Sequence, residues 1–253
     1  IPEARTTYNV IGNMNEHQLT ITETTFGGRE ELVDTTGIID YGSLIYIALQ
    51  RSKSAREAIQ VMTDLVQEYG YYSSGESFTI ADPREVWVME MIGKGVGVKG
   101  AVWVAVRIPD DCISAHANQA RIHQFPLNDK ENCLYSPDVI SFAREKGYFS
   151  GLNKDFSFAN AYAPLDFGAR RYCEARVWSF YNMFTDRGEE FLPYILGSTD
   201  KPMPLYVKAK KRISVQEIQQ AMRDHYEGTP LDLSQDFGAG INHSSYRLSP
   251  LSF

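Results

Sequence analysis

The stretch Gly100–His123, GAVWVAVRIPDDCISAHANQARIH, decides how this chain is read. Ala101, Val102, Trp103, Val104, Ala105, Val106 and Ile108 form a near-continuous apolar run with β-branched enrichment, closed by Pro109, which is the pattern of a buried strand. Asp110 and Asp111 turn the chain at the surface. A second, strictly alternating strand is expected after them. Ile113, Ala115 and Ala117 fall on one face, and Cys112, Ser114, His116 and Asn118 fall on the other. The second face gathers a thiol, a hydroxyl, an imidazole and a carboxamide at the end of a central sheet. Polar groups cost free energy when buried without partners, so a strand that spends a face on them points to chemistry.

Outward from this pair, the order of elements defines the fold class. Arg5–Val10, RTTYNV, reads as an edge strand, and Asn15-Glu16 as the turn into a second strand over Gln18–Thr24. Thr24–Gly28 is expected to be a flexible loop. A helix follows over Tyr41–Gln50, with Ser43 as its candidate cap. Ser54-Ala55-Arg56-Glu57 is a capping box that opens a second helix. The stripe Ala55, Ala58, Ile59, Met62, Leu65, Val66 and Tyr69 carries that helix to Gly70. Phe78–Ala81 and Glu85–Met89 flank the turn pair Asp82-Pro83 as a hairpin. Ser136-Pro137-Asp138 caps a short helix to Lys146, with Gly147 beyond its end. Asn153–Gly168 reads as irregular, Arg170–Phe184 as a helix, and Ser214–Glu217 as a capping box for a helix ending at Tyr226 and Gly228. Residues 236–240 read as loop and the closing LSPLSF as extended. Strand pairs alternate with helix pairs, so the class is layered α+β, antiparallel sheets covered by helices, in one domain over residues 1–253.

Composition removes whole classes of function. A net charge of −7 over 253 residues leaves no basic stripe to displace counterions, so no nucleic-acid partner is expected. The basic cluster Lys208, Lys210, Lys211 and Arg212 reads as a solvated loop before a helix. There is no transmembrane run and no membrane partner is expected. Three cysteines are too few for a disulfide framework, and compartment is not legible from them. Both ends look cut, with neither an opening Met nor a signal peptide before Ile1.

Five blocks together resemble a known family. NMNEHQLTITETTFGG (13–28), DYGSLIYIALQRSKSAREAI (40–59), SFTIADPREVWVMEMIG (77–93), SAHANQARI (114–122) and DFGARRYCEARVW (166–178) resemble, in order, the cysteine dipeptidases of the N-terminal nucleophile (Ntn) hydrolase superfamily. The same blocks are distantly similar to bile-salt hydrolases and penicillin V acylases. The resemblance implies a four-layer αββα sandwich of antiparallel sheets, here lacking its first strands. It implies a nucleophile that is the first residue of the mature protein, a cysteine whose α-amine accepts the thiol proton. No cysteine lies near Ile1, so the nucleophile is expected upstream of this chain, which alone would be inactive. No metal or organic cofactor is implied, and the substrate would be a dipeptide.

By the same resemblance, Asn118 corresponds to the asparagine that helps form the oxyanion hole. Arg171 corresponds to the arginine near the nucleophile, with Arg170 and Arg176 as alternatives. Glu23, Thr24 and Thr25 stand where the acylases present another oxyanion-site asparagine. Thr25 takes that position, and Glu23 is placed by its charge to bind the α-ammonium of a dipeptide. Related proteins are often exported, which makes a periplasmic or secreted location the expectation. Missing first strands would leave a sheet edge open, so self-association into a homo-oligomer is expected.

Three other readings compete. A papain-like set of Cys112, His116 and Asn118 fails on geometry, because strand residues four apart lie about 13 Å apart along the axis. A zinc site from Cys112, His116, His123 and Cys133 lacks the tight paired spacing of structural zinc motifs. An acylase acting on N-acyl amides, or a non-catalytic binding module on the same fold, would keep the architecture and change the activity. For Arg171 the plain alternative is a helix-surface arginine paired with Glu174 or Asp166.

Overall fold

A computed structural model describes residues 1–232, 234–235 and 241–243. The loop expected at 236–240 and the extended closing segment lie outside the described residues. The chain forms two compact units, Ile1–Leu165 and Asp166–Phe253.

The first unit is built on a seven-stranded antiparallel sheet. Its strands are β1 (Val10–Ile11), β2 (Met14–Asn15), β3 (Thr20–Gly27), β4 (Gly75–Ala81), β5 (Val86–Gly93), β6 (Ala101–Ile108) and, after the short β7 (Cys112–Ser114), β8 (Cys133–Tyr135). The sheet order is β1-β2-β3-β4-β5-β6-β8. β5 and β6 pair over their full lengths, from Val86 opposite Ile108 to Gly93 opposite Ala101. β6 has the bounds expected from its apolar run, and the run is continuous because both of its faces are covered.

One face of the sheet packs on α1 (Tyr41–Arg51) and α2 (Ala55–Tyr69). Ile21, Phe78, Ile80, Trp87, Met89 and Met91 from the strands, with Leu19 just before β3, meet Leu44, Ala48, Leu49, Ile59, Met62 and Val66 from the helices in one core. Each such side chain contributes about 1.5–3 kcal/mol by its burial. The α2 stripe is the one expected, and Gly70 ends the helix at φ +77°, a conformation that favours glycine. The Ser54 hydroxyl accepts from Glu57 N at 3.3 Å, but the Glu57 carboxylate accepts from Lys53 N, not Ser54 N, so the box is displaced by one residue. Asp82, in the β4–β5 turn, accepts from Ala55 N at 2.9 Å and satisfies another donor of the same helix end. For α1 the cap is Asp40, which accepts from Ser43 N at 2.7 Å; Ser43 lies inside the helix.

Four further expectations change. The edge strand at Arg5–Val10 shrinks to Val10–Ile11. Thr24–Gly27 is not a loop: β3 continues through it with a register shift between Thr25 and Gly27. Gly75 stands opposite that shift, and a Cβ there would lie 2.0 Å from the Phe26 ring. The segment read as irregular contains α4 (Phe158–Tyr162), which follows α3 (Val139–Glu145). The Tyr162 hydroxyl ties α4 to α3 by donating to the Val139 carbonyl. The second strand of the opening stretch stops at Ser114. Beyond it the backbone turns to side chains instead of a neighbouring strand. The wholly buried Glu90 carboxylate of β5 accepts from Arg121 N and Ile122 N, and the buried Arg121 guanidinium donates to the Ala115 carbonyl at 2.8 Å.

The second unit begins with a π-helical segment, Ala169–Glu174, that runs into α5 (Ala175–Phe184). α6 (Gly188–Ile195) follows, an element the sequence reading does not contain; Pro193 lies within it. Trp178 of α5 donates to the Gly188 carbonyl at the start of α6 at 2.9 Å. After the short strand β9 (Tyr206–Lys208) comes α7 (Val215–Ala221), whose capping box is complete. α7 ends five residues before the expected Tyr226, which has φ +66°. Among the described residues no helix is long and apolar enough to cross a membrane.

Candidate active site

Strand periodicity places Thr24 and Thr25 on opposite faces of β3, and each face carries a polar group. On one face His116 sits between two hydroxyls, with Nδ1 2.7 Å from Thr24 Oγ1 and Nε2 2.7 Å from Thr79 Oγ1. Thr79 stands opposite Thr22, so the imidazole bridges two diagonal neighbours on adjacent strands. Burial, and then the Arg121 charge, hold the His116 pKa down to about 4. The ring is therefore neutral at physiological pH, with one nitrogen donating and the other accepting. His123 is similar: its Nδ1 lies 2.9 Å from Ser157 Oγ, and burial lowers its pKa to about 4.

Asn118 follows two residues after His116 at φ 54°, a left-handed conformation that asparagine tolerates better than most residues. Its carboxamide donates to the Thr25 carbonyl at 2.6 Å, and the side chain is solvent-exposed. The structure thus brings Asn118, Thr24 and Thr25 together at one end of β3. Glu23 points to the other face with Thr25. There Thr25 Oγ1 donates to Glu76 Oε1 at 3.0 Å, and burial first, then a hydrogen bond to Glu23, push the Glu76 pKa up to about 8.

Arg171 lies in the π-helical segment of the second unit, half-buried and in electrostatic range of Tyr226. Of its two alternatives, Arg170 donates to the Tyr194 and Thr199 carbonyls and to Asp200 at 2.7 Å, which commits it to holding α6 and the loop after it. Arg176 donates to the Tyr172 carbonyl at 2.7 Å.

Two of the three thiols are held in the protonated form by burial. The Cys112 thiol is 3.6 Å from the Asp111 carboxylate. Burial pushes Cys133 up to about 12 and raises Cys173. A reactive thiol needs the opposite shift. Both His116 nitrogens are engaged by threonines, so no Cys112–His116 pair forms. Among the described residues no three His, Cys, Asp or Glu side chains are grouped to hold a metal ion, and the zinc reading of Cys112, His116, His123 and Cys133 has no such geometry.

The sequence reading does not contain the roles of Glu76, Thr79 and Glu90. A signal existed for two of them. Glu76 falls on the same strand face as Phe78 and Ile80, and Glu90 interrupts the apolar run VWVMEMIG. A carboxylate at a core position of a strand needs a partner.

The two neutral imidazoles give a pH dependence of fixed sign. Between about pH 6.5 and pH 4 the unfolded chain binds protons at these sites and the folded chain does not. Their contribution to stability is complete above that window and is lost as pH falls through it. Glu76, raised above its ordinary value, runs the other way between about 4.5 and 8. The measurement is therefore a difference: urea midpoints of the chain and of the His116→Asn, His123→Asn double variant from pH 7 to pH 4. The double variant is expected to lose less stability on acidification; parallel curves would refute the assignment.

An antiparallel α+β architecture with helices on its sheet and a carboxamide held at a strand end is consistent with an Ntn-type sandwich. Residues 1–253 match the model of Peptidase family C69 throughout, and the chain belongs to that family. It is 29% identical over 221 residues to a probable dipeptidase of Salmonella dublin, covering 85% of this chain and 48% of that protein. It is 26% identical over 243 residues to dipeptidase A of Lactobacillus helveticus, covering 93% and 48%. A dipeptidase of Bifidobacterium longum is 25% identical over 228 residues, covering 85% and 40%. The chain spans about half the length of the curated relatives it matches.

Proposed function

We propose that the protein is a cysteine-type dipeptidase whose nucleophile is an N-terminal cysteine upstream of Ile1. The observation that carries this reading is the Asn118 carboxamide held against the end of β3, in a chain of Peptidase family C69. In the proposed reaction a thiolate attacks the carbonyl of the dipeptide's peptide bond. The Asn118 amide, with backbone N–H groups, stabilises the oxyanion. The cysteine's α-amine accepts the thiol proton and returns a proton to the leaving amine. Water then hydrolyses the thioester and frees the thiol. Arg171 is assigned to the neighbourhood of the nucleophile. His116 is assigned to positioning: its two threonine contacts fasten the segment that carries Asn118 to β3 and β4. The raised thiols of Cys133 and Cys173 support a nucleophile outside these two residues.

The test uses the natural gene product, allowed to mature, against dipeptides and against N-acyl amides. Hydrolysis of dipeptides that is abolished by thiol alkylation is expected. A preference for N-acyl amides would replace the dipeptidase by an acylase, and activity of residues 1–253 alone would sink the upstream nucleophile.

A further inference from the structure

The face of β3 and β4 that packs toward α1 and α2 is apolar at Ile21, Phe78 and Ile80, yet it also carries two carboxyl groups. Glu76 stands opposite Thr25 and Glu23 opposite Phe78, which makes the two glutamates diagonal neighbours on one face. Glu76 is 1% exposed. One of its oxygens accepts from Thr25; the other, and Glu23 Oε2, are buried with no donor. The Tyr71 hydroxyl is wholly buried and makes no close hydrogen bond. It lies near enough to both carboxyls for their charge to raise its pKa, after burial. Burial, and then a hydrogen bond to Glu23, push the Glu76 pKa up to about 8, so Glu76 keeps its proton at neutral pH and is a donor on this face. No Lys or Arg among the described residues forms an ion pair with either glutamate.

Glu23 is half-buried and also forms part of the wall of a cleft of about 510 Å³, with Asn13, Tyr41 and Tyr46. A carboxylate without a cation, at the wall of a cleft flanked by two phenol rings, is complementary to a small organic cation. We propose that the Glu23–Glu76 pair is a recognition site for a primary ammonium group, the α-amine of the peptide substrate. This rests on the dipeptidase reading. Two residues along β3, about 6.6 Å, separate Glu23 from Thr25, whose carbonyl holds Asn118. The proposed site thus lies on the same strand as the contact that holds Asn118, although Asn118 itself does not line the cleft. Glu76 is a positioning residue: its proton ties down the buried oxygen of Glu23 and leaves the other for the ligand. An N-acylated substrate would leave the Glu23 charge unpaired and desolvated, and would be rejected.

The test compares kcat/KM of the natural gene product for Ala-Ala and N-acetyl-Ala-Ala. The free-amine substrate is expected to be preferred, and Glu23→Gln to reduce the preference about 10- to 100-fold. Glu76→Leu should reduce it similarly. Glu76→Gln, whose amide N–H replaces the Glu76 proton, should retain most of it. Variants that slow both substrates alike and leave the ratio intact would overturn the proposal; that result would also follow if the pair served the protein's own α-amine. Should Glu76→Leu fail to fold, Glu23→Gln and Glu76→Gln carry the comparison. A second arm needs no turnover: calorimetric binding of a non-hydrolysable ketomethylene analogue of Ala-Ala and of its N-acetylated form. Glu23-dependent preference for the free amine in a protein that does not cleave dipeptides would uphold this site and sink the dipeptidase reading. Equal binding of the two analogues by the unmodified protein would overturn the site, whatever the protein hydrolyses.

Discussion

Asn118→Ala in the natural gene product is expected to lower kcat on dipeptides about 100- to 1000-fold, the usual effect of losing one oxyanion donor. The substitution has a second consequence that must be separated from the first. Asn118 has φ 54°, and alanine in that conformation costs about 1–2 kcal/mol. Asn118→Gly removes the carboxamide without backbone strain. If the amide acts on the oxyanion, both variants lose the same kcat, and both lose the hydrogen bond to the Thr25 carbonyl, but the alanine variant alone adds the backbone strain. If the side chain serves only to fasten the loop to the Thr25 carbonyl, the glycine variant would keep kcat within a few-fold. A change confined to KM would also refute the oxyanion assignment, because that contact forms in the transition state.

Glu90→Leu is expected to destabilise the chain by roughly 2–6 kcal/mol in urea denaturation. Glu90 is 0% exposed, and its carboxylate is the acceptor for the backbone N–H groups of Arg121 and Ile122. Leucine fills the space but orphans both donors, at about 1–3 kcal/mol each. Glu90→Gln keeps one acceptor oxygen and should cost less. The same contacts shape the segment that carries His116 and Asn118, so activity should fall along with stability in the leucine variant. A leucine variant as stable as the parent would show that these donors have other partners.

Several elements were legible because they are decided by neighbours in sequence. The α2 stripe ending at Gly70, the Asp82-Pro83 hairpin, the apolar β6 and the Ser214 capping box all form as read. Propensity, period and cap chemistry act within about one turn or one strand, and these segments obey them. The resemblance carried by five dispersed blocks names Asn118, Arg171, Glu23, Thr24 and Thr25 as site residues; of these, Asn118 donates to the Thr25 carbonyl, while Thr24 meets His116 and Glu23 turns to the opposite face of β3.

Other features depended on partners far away in the chain. Period-2 alternation over Cys112–Asn118 predicted a strand, but the chain leaves it after Ser114. The donors of Arg121 and Ile122 find Glu90, about thirty residues earlier, and His116 finds Thr24 and Thr79. Thr24–Gly27 looked like a loop because threonine, glycine and a single aromatic carry little apolar signal. Pairing with β4 makes it strand.

By itself, then, the sequence determined the α+β class, the main helices and hairpin, and the family to which the chain belongs. Those rest on local propensity and on the order of motifs. The tertiary structure alone decided the neutral state of His116, the placement of the buried Glu76 diagonally across from Glu23 and the backbone conformation of Asn118. Each depends on burial and on side chains brought together from distant strands, and no local pattern encodes them.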